Sequence, residues 1–403
     1  MENKIRMFMI ALLLSPAFFA CKTTSNDPIN TPSTAFVPKD SIIGNNFFQV
    51  EFSTDSKSMV WCEQIPASSG KAKIWYADMD LASGLPNLST KLLIDTIQGQ
   101  GWPYWGHTTQ GRFFIYMNQR KQIKFTRRIG TNNLQTFNLG VINTQPKSLL
   151  NVSNDSTKVY FWVNYIVLNA GSGKDSLFAF RSDNPTQVKF IDAEVPNTGG
   201  SAYELTFPRW QANSEILAYP FRPIAGQPYW DIKFWNGQTL ASTQVTNDVP
   251  SSVLNHHVDD LPFTLPNQTN TYLFSSKSAR TLSIYQRGGN SGFFTLSESY
   301  TTPTTLSNYI LTSFEPFTIN FKTYGAYQVY ENNGTAIPGT TKGEIWLKGI
   351  LGEATQLKIS TFDGVTVDPE YVIGNKKVWI YYYGKSVGSS LFDLHRCETP
   401  LTK

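Results

Sequence analysis

Two phased series of short apolar runs recur seven times along the chain, and this periodicity constrains the fold more than any other feature. The first series begins at Ser58, Arg112, Lys158, Glu215, Thr271, Gly325 and Lys377, with gaps of 46 to 57 residues. The second runs Lys73–Tyr76, Gln122–Phe125, Ser176–Ala179, Asp231–Phe234, Leu282–Tyr285, Glu344–Leu347 and Ser390–Asp393. Paired runs flanking turn residues read as β-hairpins, as in Pro208–Gly237. A hairpin alone cannot bury its faces in water and needs copies beside it. A period near fifty residues, with no helical stretch between the strands, predicts blades around a central channel. The expected fold is all-β, a seven-bladed β-propeller of four-stranded antiparallel blades starting near residues 45, 100, 146, 203, 258, 312 and 365. Six blades plus an irregular segment is the alternative.

Composition agrees with this architecture. Aromatic residues make up 14% of the chain and charged residues 16%, against roughly 25% charged in an ordinary soluble domain. That balance suits sheets packed through Trp, Tyr and Phe. Propellers exceed the usual domain size as single units, so 403 residues do not demand two domains. The net charge of +4 is small and dispersed, which excludes the clustered basic face of a nucleic-acid binder.

At the amino terminus, Lys4 and Arg6 precede the apolar run Met7–Ala20, which ends on Cys21. The run is too short to span a bilayer and fits a secretory signal. Phe18-Phe19-Ala20-Cys21 resembles the lipobox of bacterial lipoproteins, although Phe18 stands where that family prefers Leu. The resemblance implies a signal peptide at 1–20, lipidation of Cys21, a flexible Thr/Ser/Asn/Pro-rich tether at 21–40 and a folded body at 41–403. It places the protein in the envelope of a Gram-negative bacterium, at the periplasmic or surface face of the outer membrane, touching the membrane through its anchor alone. A plain signal peptide with a chance cysteine is the other reading.

The turns entering the hairpins carry a second resemblance. Val50–Lys57, Pro208–Ser214 and Pro262–Asn267 resemble the Pro-x-aromatic-Ser-Pro-Asp-Gly turn of TolB-type propeller repeats. Pro103-Tyr104-Trp105 and Pro369-Glu370-Tyr371 keep part of it, and Asn151–Asp155 and Pro316–Asn320 keep less. The resemblance implies a propeller and leaves function open.

A ring must close, because an open edge strand is an aggregation hazard. Little chain remains after Leu394, so part of Phe36–Phe48 is expected to pair with the seventh blade. Cys62 in blade one and Cys397 in blade seven become neighbours when the ring shuts. In an oxidising envelope they either form a disulfide across the seam or remain two buried thiols.

Candidate chemistry is thin. His256, His257, Asp259 and Asp260 lie in one loop, where imidazoles and carboxylates suit a metal or acid–base work, but their spacing fits hydrogen-bonded loop residues equally. Glu204, Glu315, Asp368 and Glu370, with Trp102, Tyr203, Arg222, Tyr229 and Trp230, predict an aromatic and acidic channel mouth. Flat rings stack on sugars while carboxylates accept their hydroxyls, so a glycan fits such a mouth; structural acids near the channel are the alternative. Gly384–Gly388 matches a serine-hydrolase elbow but joins two strands, whereas the elbow requires a helix after it. The Gly-rich loops open no helix that would cradle a phosphate. No cofactor and no metal are expected. The function expected is binding, foremost to another envelope protein, with a glycan-binding or glycan-degrading role second.

Overall fold

Ser53-Thr54-Asp55-Ser56 shows how a hairpin starts here. The Ser53 hydroxyl and the Lys57 amide both donate to Asp55 Oδ1, at 2.7 and 3.1 Å, and the Ser53 amide donates to the Ser58 carbonyl at 2.9 Å. The Asp side chain thus replaces a backbone acceptor and folds the turn locally. From such turns the strands alternate where one face is covered: Ala72, Ile74 and Tyr76 are buried while Lys71 and Lys73 are partly open. Second strands are covered on both sides by neighbouring blades, so Val378–Tyr383 is buried without a break.

The structure, a computed structural model, describes residues 36–65, 70–98, 102–129, 133–141, 146–168, 174–196, 208–221, 231–247, 263–264, 270–278, 281–288, 292–332, 340–389 and 391–403. Strand β1 is Asp40–Asn45, and blade one is β2 (Phe47–Phe52), β3 (Ser58–Gln64), β4 (Lys71–Asp80) and β5 (Leu85–Gln98). Blade two is β6 (Tyr104–Thr108), β7 (Gly111–Met117), β8 (Gln122–Ile129) and β9 (Asn133–Val141). Blade three is β10 (Pro146–Val152), β11 (Trp162–Leu168), β12 (Lys174–Arg181) and β13 (Asn184–Pro196). Blade four is β14 (Arg209–Trp210), β15 (Ile216–Phe221), β16 (Asp231–Asn236) and β17 (Ala241–Gln244). Blade five is β18 (Phe263–Thr264), β19 (Thr271–Ser278), β20 (Thr281–Arg287) and β21 (Thr295–Thr301). Blade six is β22 (Tyr309–Ile319), β23 (Lys322–Glu331), β24 (Gly343–Ile350) and β25 (Gln356–Lys358). Blade seven is β26 (Val365–Ile373), β27 (Lys377–Lys385), β28 (Asp393–Thr402) and, from the other end of the chain, β1.

All seven sheets are four-stranded, and the fold is a seven-bladed β-propeller; the six-bladed alternative is excluded. The first strands β26, β2, β6, β10 and β14 touch in succession, which sets them innermost around the axis. Among the described residues, seven buried clusters each join two consecutive blades. Trp61, Trp379 and Tyr381 lie between blades seven and one, and Trp162, Trp210 and Trp235 between three and four. Edge-to-face pairs such as Trp162–Trp235, with centroids 5.0 Å apart, add about 0.5–1.5 kcal/mol beyond burial.

Closure is two-ended: Asp40 lies opposite Cys397, Ser41 opposite Arg396 and Ile42 opposite His395. Two of the expected runs shift. In blade three the second strand begins at Trp162 rather than Lys158, because Asp155 accepts from the Thr157 amide at 2.9 Å and the Lys158 carbonyl is taken by the Thr109 amide of blade two at 2.7 Å. In blade seven the third strand begins at Asp393, where the expected run ends. The Ser389 amide donates to the Ser386 carbonyl at 3.0 Å, so Gly384–Gly388 leads out of β27 into a turn. The residues after Leu394 are therefore an inner-sheet strand and no mere tail.

Cys62 and Cys397 are separate buried thiols, correcting the expectation of a seam disulfide. Cys62 packs with Val60, Ile74 and Phe114 between blades one and two, whereas Cys397 packs with Val378 and Ile380 between blades six and seven. They line different interfaces. Burial pushes both thiols well above their ordinary range.

Candidate functional site

Three inner strands carry the same interruption. In β2 the register slips by one residue between Phe48 and Glu51, in β22 between Thr312 and Glu315, and in β26 between Val367 and Glu370. At each slip a non-glycine residue takes left-handed backbone: Gln49 at φ 48°, Ser313 at 50° and Asp368 at 57°. Such β-bulges re-aim side chains, and the strained conformation persists only where its surroundings over-determine it. Two residues after each lies a glutamate, so Glu51, Glu315 and Glu370 occupy equivalent positions in three consecutive blades. In β10 the same slip, between Ser148 and Asn151, puts an amide there.

These acids converge on the axis. Glu51 feels Asp368 and Glu315 from blades seven and six, and it also feels Arg209 from blade four. Blade four lies across the ring from blades seven and one, so that interaction spans the channel. All four side chains are half-buried. Burial raises Glu51 well above the ordinary carboxylate range, and the carboxylates of Asp368 and Glu315 add to it against the pull of Arg209. Burial likewise lifts Asp368 to about 6, with Arg209 opposing. Tyr104 of blade two and Tyr371 of blade seven are both raised chiefly by burial; Tyr104 feels Arg209, Glu51 and Asp368, and Tyr371 feels Glu315 and Glu370. The Val50 amide donates to the Tyr383 hydroxyl, which ties the blade-one bulge to blade seven. The Trp105 indole donates to the Glu51 carbonyl at 3.0 Å and holds it from blade two.

The chemistry on offer is that of clustered carboxyls, two of them with raised pKa, beside the Arg209 guanidinium. Among the described residues no three His, Cys, Asp or Glu side chains are grouped as metal ligands.

Of the residues expected at the mouth, Glu315, Asp368 and Glu370 are brought together here. Trp102 is not: it is partly buried and packs against the core between blades one and two. Tyr203, Glu204, Arg222, Tyr229, Trp230, His256, His257, Asp259 and Asp260 lie outside the described residues, as do Cys21 and the tether up to residue 35. Sequence reasoning missed Glu51, Arg209 and Tyr104. The signal for Glu51 was a glutamate followed by a hydrophobic residue before the hairpin turn, in Val50-Glu51-Phe52 as in Phe314-Glu315-Pro316 and Pro369-Glu370-Tyr371.

No family model and no curated protein matches the chain. Among solved structures it is similar to a prolyl endopeptidase at 12% identity and TM-score 0.49, over 85% of this chain and 47% of that one. It is similar also to an acylaminoacyl peptidase of Pyrococcus horikoshii, at 10% identity and TM-score 0.48, over 86% and 52%. A Trypanosoma rangeli sialidase matches at 8% identity and TM-score 0.42, over 79% and 56%. The chain spans about half the length of the two peptidases.

Proposed function

We propose that this chain is a lipid-anchored envelope propeller that works by binding, with the axial cluster as the centre of its recognition face. The observation that carries the reading is the convergence of Glu51, Glu315 and Asp368 with Arg209 from four blades, at the cost of bulged backbone in three inner strands. Strain held in register at one place in several blades supports a site kept for recognition, since packing alone gains nothing from it. The charged run before Met7–Ala20, the Cys21 that follows it, and the TolB-like turns support the envelope address and the scaffold role. The partner favoured is another envelope protein.

A capture experiment with the full chain from envelope extract tests this, run beside Glu51→Gln and Arg209→Ala variants that melt normally. A partner retained by the native chain and lost from both variants supports the reading. Equal capture by all three removes the axial cluster from it. Radiolabelled palmitate incorporation that disappears in Cys21→Ser tests the anchor.

A glycan-active role is the second reading, favoured by one observation: Glu51 and Asp368 are two carboxyls with raised pKa that feel each other in one channel, the kind of pair acid–base hydrolysis uses. Binding on a glycan array that Asp368→Asn abolishes, with turnover of the bound sugar, would put this reading first.

A further inference from the structure

Away from the axis, between blades three and four, the β12–β13 and β16–β17 turns lie side by side and enclose a cleft of about 440 Å³. In a four-stranded meander these turns fall at the end of the sheet opposite to the link between blades. Trp162 lines the cleft. It is only 3% exposed and is locked in place, with Trp210 stacked at 6.4 Å and Trp235 edge-on at 5.0 Å. Its indole Nε1–H is buried and has no hydrogen-bond partner. The adjacent Trp210 shows the ordinary solution, donating to Asn164 Oδ1 at 2.7 Å. Leaving a buried donor unmet is costly, so an orphaned group at a cleft points to a guest that supplies the acceptor.

Gly237 packs against that donor, and a Cβ there would come within 2.8 Å of Trp162 Nε1, so a larger residue would crowd the ring. The walls have a definite charge. Arg181 is paired twice with Asp183, at 3.0 and 2.6 Å, and lies 3.7 Å over the Tyr160 ring, so that pair is neutral and fixed. Lys189 is half-buried, and among the described residues no carboxylate pairs with it. The Gln238 amide adds a neutral donor and acceptor, and Leu240, 48% exposed, adds an apolar surface. The cleft therefore offers one net positive charge, an excess of donors and a small apolar patch, in a volume suited to one sugar ring.

We propose that this cleft binds a small hydroxylated carboxylate of hexuronic-acid size. Its carboxylate pairs with Lys189, a ring oxygen or hydroxyl accepts from Trp162 Nε1–H, and the apolar ring face rests on Leu240. The site is independent of the axial cluster and stands whether or not that cluster recognises a protein.

Titration calorimetry and tryptophan fluorescence of the full chain with D-galacturonate and D-glucuronate, each beside its neutral hexose, test the proposal. The expected result is saturable binding of at least one uronate, with its neutral counterpart at least tenfold weaker. Lys189→Met weakens binding tenfold or more with an unchanged melting midpoint, and Gly237→Ala abolishes it. No saturable uronate binding, equal binding of the neutral sugar, or an unaffected Lys189→Met overturns the proposal. Should Gly237→Ala fail to fold, Lys189→Met and Gln238→Ala decide.

Discussion

Asp40 accepts a hydrogen bond from the Tyr382 hydroxyl at 2.6 Å across 342 positions of sequence. The same Oδ2 accepts from the Thr361 amide at 2.5 Å, the Thr361 hydroxyl at 2.7 Å and the Phe362 amide at 2.9 Å. One carboxylate thus fastens the closing strand to both blades six and seven. Asp40→Ala leaves these donors unmet, at an expected cost of about 2–4 kcal/mol. Urea denaturation checks the loss, and hydrogen exchange should show β1 and β28 opening before the other blades.

Asp368 carries the opposite sign. Its folded pKa, about 6, lies above its ordinary value of 3.8. The folded state therefore holds the proton more tightly, and stability present below pH 4 is lost as pH rises through 6. Asp368→Asn removes that penalty. The variant should be more stable than the native chain by about 1–3 kcal/mol at pH 7.5 and equal to it near pH 4. Melting curves at both values check this, and a stabilised variant that no longer binds its partner would mark the position as functional.

Gly325 lies against the ring of the buried Phe314, the middle residue of the blade-six bulge. A Cβ at 325 would meet that ring at 1.9 Å. Gly325→Ala must displace Phe314 and with it the bulge that aims Glu315. A loss of about 1–3 kcal/mol is expected by overpacking, measured by chemical denaturation. The variant should also lose axial binding where it still folds.

His395 gives the seam its own pH dependence. It is 3% exposed, stacks on Tyr382 at 5.1 Å, and neither ring nitrogen has a partner. Burial lowers its pKa, against Asp40 and Asp393. A lowered base binds fewer protons when folded, so stability is full above pH 6.5 and falls as pH drops below it. His395→Leu should flatten the difference in denaturation midpoint between pH 7 and 5.5.

The repeat was legible because each hairpin declares itself locally. Ser58–Trp61 and Lys73–Tyr76 fall inside β3 and β4 as read. Where a local rule competed with a distant contact, reading faltered: Val159 looks like a strand residue, yet it is 66% exposed in a turn that blade two holds. The acids were half legible. Glu315, Asp368 and Glu370 stand beside recognisable prolines, but their meeting with Arg209 depends on strand bulges at Gln49, Ser313 and Asp368, and none of these is a glycine that would betray a left-handed backbone. The two cysteines were left between a bond and two buried thiols, because sharing neighbouring blades does not by itself mean sharing an interface.

The pairing of β1 with β28 makes folding wait on synthesis. Asp40 emerges from the ribosome some 350 residues before Cys397, its partner in register. Contacts so far apart in sequence form slowly, because a long loop must close first. Until Asp393–Thr402 arrives, blade seven offers two bare edges and the ring is a crescent. A nascent chain is thus the form that sticks to its neighbours, and whatever shields it must act before the last ten strand residues appear.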